Sequence, residues 1–447
     1  MIEQAVSDYH ALLEREPGLL DESRAFLIER FKQVQLVFGG RTLSPYLRPH
    51  FVTRSQWRRI TRTCETIWGA IEKIGRIAPT DALMIEQLGL TPGERELAAI
   101  DPGYSDVSVT SRLDSFLAAP DYSFVELNAE CPAGIAYCDV AAEIFSELPV
   151  MRAFKRSHTV TPMYCRDRML ESLLSVYSRV RGEGERPNIG IIDYRGLPTQ
   201  REFELFRDYF EGRGYATTIA DPRDLELTNG RLHHGEFRID LVYRRVLTTE
   251  LLEKIDECGA FVEAYRTGAA VVVNSFRTKW VHKKMLFGLL TDERHQRLFT
   301  DAERDVIRRS IPWTRKMCDA RTTHQDREID LCEFVRANRD RLVLKPNDEY
   351  GGHGIFIGWE TDEQAWDAAI QQALAGDYLV QERVATAREI FPFVDETEGG
   401  VQMIEQLLDL DPLLFFGRVG GAFTRLSSSS LANVTSGAGM IPTMVVE

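Results

Sequence analysis

The chain has 447 residues, of which 44% are apolar and 27% charged; this length suits two or three domains of roughly 150 residues each, and the balance excludes a disordered or fibrous polypeptide. Lysine and arginine total 54 against 68 aspartates and glutamates, a net charge of −14, which argues against general binding to nucleic acid or anionic membranes. No apolar run approaches the ~20 residues of a membrane helix, the opening MIEQAVSDYH is not a secretory signal, and seven scattered cysteines without a CxxC pair fit a reducing cytoplasm.

In chain order, the first ~75 residues read as helices. Asp21-Glu22-Ser23-Arg24 opens one, with Phe26, Leu27, Phe31, Val34 and Val37 at helical spacing, and Thr53–Ile74 forms a second. The alternating stretches Asp106–Phe116 and Tyr122–Leu127 predict an antiparallel hairpin. After the linker Arg181–Pro187 the pattern becomes strand–helix–strand: NIGIIDY, a helix over Thr199–Gly212, YATTIAD, and then FRIDLVYRR as one strand, an α/β unit with a parallel sheet. The last third predicts a helix over Trp280–Leu290, strands RLVLKP and GIFIGW around a Gly-rich turn, a helix over Glu363–Leu374, the strand YLVQERV, and a hairpin in LLFFGRVGGAFTRL. The expected class is α/β and α+β, divided at 1–180, 186–275 and 276–447.

Two segments carry chemistry. In Leu344-Lys345-Pro346-Asn347-Asp348-Glu349-Tyr350-Gly351-Gly352-His353-Gly354 a lysine ends an apolar strand and three glycines follow. Such a loop can close its backbone N–H groups over phosphate oxygens while the lysine supplies charge; an ordinary Gly-rich hairpin is the alternative. In Arg112-Leu113-Asp114 and Glu126-Leu127-Asn128, residues two apart on a strand share a face. A hairpin would converge hard oxygen ligands suited to Mg²⁺ beside an arginine, against the alternative of a solvated polar face.

The order and spacing of these segments resemble the circularly permuted ATP-grasp superfamily, the group containing the glutathionylspermidine synthetases. FVELNAECPAG lies about 220 residues before VLKPNDEYGGHG, the reverse of the order in ordinary ATP-grasp ligases. The resemblance implies a permuted ATP-grasp fold with a preATP-grasp-like α/β domain at 186–275, N-terminal helices, and nucleotide-binding lobes at 276–447. It implies ATP and Mg²⁺, with Lys345 on the α/β phosphates and the loop containing Glu349, Tyr350, Gly351, Gly352 and Gly354 over the triphosphate. Gln381, Glu382 and Val384 would hold adenine or ribose. A further lysine is expected at Lys279, Lys283 or Lys284, with Lys283 preferred. Asp114, Glu126 and Asn128 would hold the metal, and Arg112 and Arg425, the latter in a GGxxR-type segment, would stabilise the transferring phosphoryl group; Arg418 is the other choice for the second clamp. Arg244-Arg245 is a candidate for a substrate carboxylate, Cys131 is expected to be structural, and Asn433 is left open.

The activity implied is ATP-dependent ligation of a small-molecule or peptide carboxylate to an amine through an acyl phosphate. The alternatives are an ATP-grasp small-molecule kinase and a nucleotide-binding protein with little catalysis. No nucleic-acid or membrane partner is expected. The sequence leaves the oligomeric state and the identity of the substrates open.

Overall fold

A computed structural model describes residues 2–447 except 39–40, 119–120, 396–398 and 431–437. Three sheets dominate. The largest has the strand order His50–Thr53, Gly439–Val446, Arg418–Ser427, Gly400–Phe415, Thr110–Ala118, Asp121–Asn128, with Arg388–Asp395 and Val160–Pro162 paired at its sides. It therefore joins an early hairpin to the last strands of the chain. The second is wholly parallel, in the order Val271–Val273, Leu241–Arg244, Ile189–Ile192, Thr217–Ala220. The third is antiparallel, in the order Thr314–Lys316, Tyr378–Glu382, Leu342–Pro346, Phe356–Ile357.

The helix Arg54–Ile77 explains how the large sheet is backed. Thr53 caps it by accepting from the Gln56 N–H while the Gln56 side chain returns to the Thr53 N–H, satisfying two donors that a helix start leaves free. Its stripe of Ile60, Cys64, Ile67, Trp68, Ile71 and Ile74 is buried in one apolar cluster with Leu113, Leu127, Leu410 and Leu414 of the sheet. At the Phe415–Arg418 turn Gly417 has φ 75°, and a Cβ there would lie 1.9 Å from Trp68, so only glycine fits.

Four departures from the sequence expectation have a clear physical cause. The first long helix of the two begins at Pro17, not Asp21; proline at the first helical position has no N–H to lose and a preset φ. The hairpin strand starts at Thr110, after Asn274 has bonded the Val109 and Thr110 N–H groups. FRIDLVYRR is two strands, Phe237–Ile239 in an antiparallel meander and Leu241–Arg244 in the parallel sheet, because Asp240 turns the chain while its carboxylate accepts from the Asn188 N–H. The helix expected over Trp280–Leu290 is broken into Lys279–His282 and Leu286–Thr291. At the break Lys283 is extended, and the N–H groups of Lys284 and Met285 bond the main-chain and side-chain oxygens of Asn347, each at 2.9 Å.

One polar cluster lies in the core of the N-terminal region. Arg48 is fully buried, bonds Glu389 and the Ile390 carbonyl at 3.1 Å each, and stacks over Phe391. Burial and the Arg48 charge hold His10 down to about 4, and burial outweighs Glu389 to place His50 there too. An unfolded histidine takes its proton near 6.5, so the unfolded state binds more protons between these values. Stability is then complete above about pH 6.5 and falls as the pH drops toward 4. Melting temperatures measured across that window should fall, and a His10→Gln/His50→Gln variant should show a shallower decline.

Candidate active site

Residues of the large sheet and of the antiparallel sheet face one another across a cavity of about 250 Å³. Asp114, Glu126, Asp409 and Arg425 come from the first, and Lys345 and Gln381 from the second; Glu349, Tyr350, Gly351, Gly352 and His353 border it as the Gly-rich loop. Gly351, Gly352 and Gly354 have φ between 68° and 80°, a region that residues with a Cβ avoid. A Cβ at Gly354 would also strike Pro346 and the Tyr378 hydroxyl.

On the large sheet, adjacent strands place Arg112 opposite Asn128, Asp114 opposite Glu126, and Asp409 opposite Arg425. Arg112 grips Asp114 with two bonds of 2.8 and 2.9 Å. The Arg425 guanidinium lies 2.8, 2.6 and 3.0 Å from Asp114, Asp409 and Asp411. Burial works against ionising Asp114, but Arg112 and Arg425 hold its carboxyl well below the usual range. Burial pushes Asp409 and Asp411 up instead, against the pull of Arg425. The DLD alternation at 409–411 puts both carboxylates on one face of the strand; sequence reading missed them, although that spacing is the same signal used for Arg112 and Asp114.

The metal expectation can be tested on these donors. Asp114, Glu126 and Asn128 do meet, because the Asn128 amide N–H donates to Asp114 at 3.0 Å and to Glu126 at 3.4 Å. Asp114, however, is taken up by arginines, whereas Asp409 Oδ1 is buried with no hydrogen-bond donor among the described residues. Among the described residues no group of three or more His, Cys, Asp or Glu side chains is arranged to hold a metal ion. Mg²⁺ needs only one or two carboxylates when phosphates complete its shell. The carboxylates Asp114, Glu126, Asp409 and Asp411 outnumber the guanidiniums of Arg112 and Arg425, and hard oxygen donors with surplus negative charge fit such an ion.

Opposite them stands Lys345, buried, with its ammonium 2.8 Å from the neutral Gln381 amide oxygen. Burial, assisted by Lys284, lowers its pKa to about 8 despite Glu126 and Asp114. The preferred second lysine needs correction. Lys283 does not border the cavity; it is buried in ion pairs of 2.9 and 2.7 Å with Glu94 and Asp348, beside Lys279, which bonds Asp348 and faces Glu94 and Glu130. Lys284 borders the cavity instead, 3.5 Å from Glu126 and bonded to the Glu349 carbonyl. Breaking the helix turned the register by one residue.

Glu382 and Val384 border the cavity, and Glu382 lies 2.8 Å from His324 Nε2. Arg418 is elsewhere, paired with Glu65. Arg244 is consumed by Glu130 and by the carbonyls of Val246, Asn274 and Ser275, so it is not free for a carboxylate. Cys131 borders a neighbouring cavity, and burial pushes its thiol up to about 12, leaving no thiolate at neutral pH. Asn433 lies outside the described residues.

No family model matches the chain, and no curated protein matches it. Among solved structures, a glutathione synthetase-like effector from Globodera pallida, in its apo form, aligns over 96% of this chain and 97% of its own at 12% identity, with a TM-score of 0.62. The fold is glutathione synthetase-like. A putative γ-glutamylcysteine synthetase from Methylobacillus flagellatus KT aligns over 86% of this chain and 85% of its own at 11% identity, with a TM-score of 0.43, too low to carry an argument. Within the glutathione synthetase-like fold, the cavity lies between two sheets, the large one supplying Asp114, Glu126, Asp409 and Arg425 and the antiparallel one Lys345 and Glu382. No helix among the described residues is long and apolar enough to cross a membrane.

Proposed function

We propose that this chain is an ATP-dependent carboxylate–amine ligase on a circularly permuted ATP-grasp fold, of the glutathionylspermidine synthetase-like kind. The permutation reading is supported by the hairpin Thr110–Asn128, which precedes the Lys345 segment in the chain yet pairs with Gly400–Phe415 in the sheet. The observation that carries the function is Lys345. A buried ammonium whose hydrogen-bond partner is a neutral amide, beside an open cavity, is costly unless an anion arrives.

In this reading Lys345 and Lys284 take the ATP phosphates, the Gly351–Gly354 loop covers them, and Glu382 with Val384 holds the nucleoside. Glu126 and Asp409, with Asp114 and Asn128, would hold Mg²⁺, which supplies neutralisation of phosphate charge. The substrate carboxylate oxygen attacks the γ-phosphorus, ADP leaves, and the amine then displaces phosphate from the acyl carbon to give the amide. Arg112 and Arg425 lie where charge accumulates on the moving phosphoryl group, and the loop keeps water from the acyl phosphate.

Calorimetry with ATP, with and without Mg²⁺, tests the site, and ADP formation that requires both a carboxylate and an amine tests the reaction. Failure of MgATP to bind would end the reading; ADP formation that needs no amine and is accompanied by a stable phosphorylated substrate, without release of phosphate, would favour a kinase. The two neighbouring lysines give a sharper check. Lys284→Ala should weaken MgATP binding with little change in melting temperature. Lys283→Ala should lower the melting temperature, because Glu94 and Asp348 lose a buried partner.

A further inference from the structure

Behind the candidate site lies a buried network of three carboxylates and three cations, Glu94, Glu130 and Asp348 against Lys279, Lys283 and Arg244. The Lys279 ammonium reaches all three carboxylates, at 3.3 Å from Glu94, 3.3 Å from Glu130 and 2.8 Å from Asp348. Lys283 adds contacts of 2.9 Å to Glu94 and 2.7 Å to Asp348, and Arg244 one of 3.2 Å to Glu130. His282 also faces Glu130 and Asp348, but burial lowers its pKa to about 4, so it adds no charge at neutral pH. The six charges cancel, which is the condition under which such a group is tolerated away from water.

The members differ in what they are attached to. Glu94 belongs to the helix Pro92–Ala99, and Arg244 ends a strand of the parallel sheet. Glu130 follows Asn128 by two residues, at the end of the hairpin that carries Asp114 and Glu126. Asp348 directly precedes Glu349, where the Gly-rich loop begins to border the cavity. Thr249 donates to Asp348 at 3.1 Å and accepts from Lys279 at 3.2 Å. The neighbour of Lys283 continues the grip, since Lys284 borders the cavity and bonds the Glu349 carbonyl. Two consecutive lysines thus hold two consecutive residues at the base of the loop, one from the network and one from the cavity.

We infer that Asp348 is a positioning residue that fixes the base of the Gly-rich loop beside the cavity, and that Lys279 ties this base to the hairpin of Asp114 and Glu126 through Glu130. The loop's task over ATP rests on the ligase reading, whereas the anchoring rests on the contacts themselves. Asp348 does not border the 250 Å³ cavity, so its effect on a nucleotide passes through Glu349–Gly354 and Lys284. Backbone N–H groups stabilise phosphate charge only when they are held in place beforehand, and a loop whose base is pinned by two ammonium ions meets that need.

Glu94 separates positioning from mere stability. Asp348→Asn and Glu94→Gln each remove one negative charge from the network and leave Lys279 and Lys283 with the same excess. Both should therefore lower the melting temperature. Only Asp348 is joined to the loop, so only its loss should be felt there.

The test combines amide hydrogen exchange of the nucleotide-free full chain with calorimetric titration of MgATP. Asp348→Asn should speed exchange at Glu349–Gly354 and weaken MgATP, each by about tenfold or more. Glu94→Gln should leave both at the wild-type level, and Asp348→Glu, which restores the charge, should recover most of each. Thr249→Val removes one bond to Asp348 without changing any charge; it should speed loop exchange to a smaller extent, and it decides the matter if Asp348→Asn does not fold. Wild-type loop exchange in Asp348→Asn, or in Thr249→Val where that variant decides, would overturn the inference, as would an equal effect of Glu94→Gln on the loop. A wild type that binds no MgATP would instead overturn the ligase reading, while loop exchange would still decide the anchoring.

Discussion

Arg425→Ala is expected to cost the fold roughly 3–5 kcal/mol, as removing one partner of a buried ion pair does. The guanidinium lies within 3.0 Å of Asp114, Asp409 and Asp411, and all of them are buried. Its removal leaves Arg112 as the sole guanidinium facing these carboxylates, and the excess charge can escape only by protonation or unfolding. The burial of Asp409 and Asp411 already raises their pKa values with Arg425 in place. Denaturant unfolding of the variant should therefore show a lower midpoint that partly recovers at lower pH, where these carboxyls gain protons. Adding Asp411→Asn should restore part of the loss at neutral pH. A midpoint unchanged from wild type would mean that the group is open to water.

Lys345→Ala is expected to leave the melting temperature near that of wild type and to weaken MgATP by about a hundredfold or more, the range for removing one partner of a desolvated charge contact. The two effects separate for a physical reason. Unlike Arg425, Lys345 has no carboxylate within ion-pair distance among the described residues, and the partner it abandons is the amide of Gln381. That amide keeps its own bond to Thr314 at 3.1 Å. Calorimetry of the variant beside its thermal melt checks both halves of the expectation.

The hairpin at 110–128 and the Gly-rich segment were legible because each is a local pattern: alternation for a strand pair, and a lysine with glycines at a turn. The same rule of alternate residues would have exposed Asp409 and Asp411, but it was applied only where a motif had drawn attention. Which of Lys279, Lys283 and Lys284 borders the cavity was not legible, and Lys284 shows why. Its direction depends on Asn347, sixty-odd residues away in the chain, taking two N–H groups that a continuous helix would have kept. Local periodicity carries no trace of such a contact. The division of FRIDLVYRR is similar, since apolar alternation continues through Asp240 and only pairing with different neighbours separates the halves. Asn274 bonds the carbonyls of Thr110, Ala129 and Glu130. A buried amide gives no sequence signal until its partners are known.

The large sheet has a consequence for how the protein is made. Arg112 and Asp114 leave the ribosome long before Asp409 and Arg425, and at synthesis rates of about 5–20 residues per second the interval exceeds ten seconds. During it the early hairpin lacks the neighbour on which its buried edge depends, the strand Gly400–Phe415. Such late, distant pairing slows folding and leaves strand edges open to other chains. A nascent chain halted before residue 400 should thus bind no nucleotide and be a substrate for chaperones, however well its parallel-sheet domain has already formed.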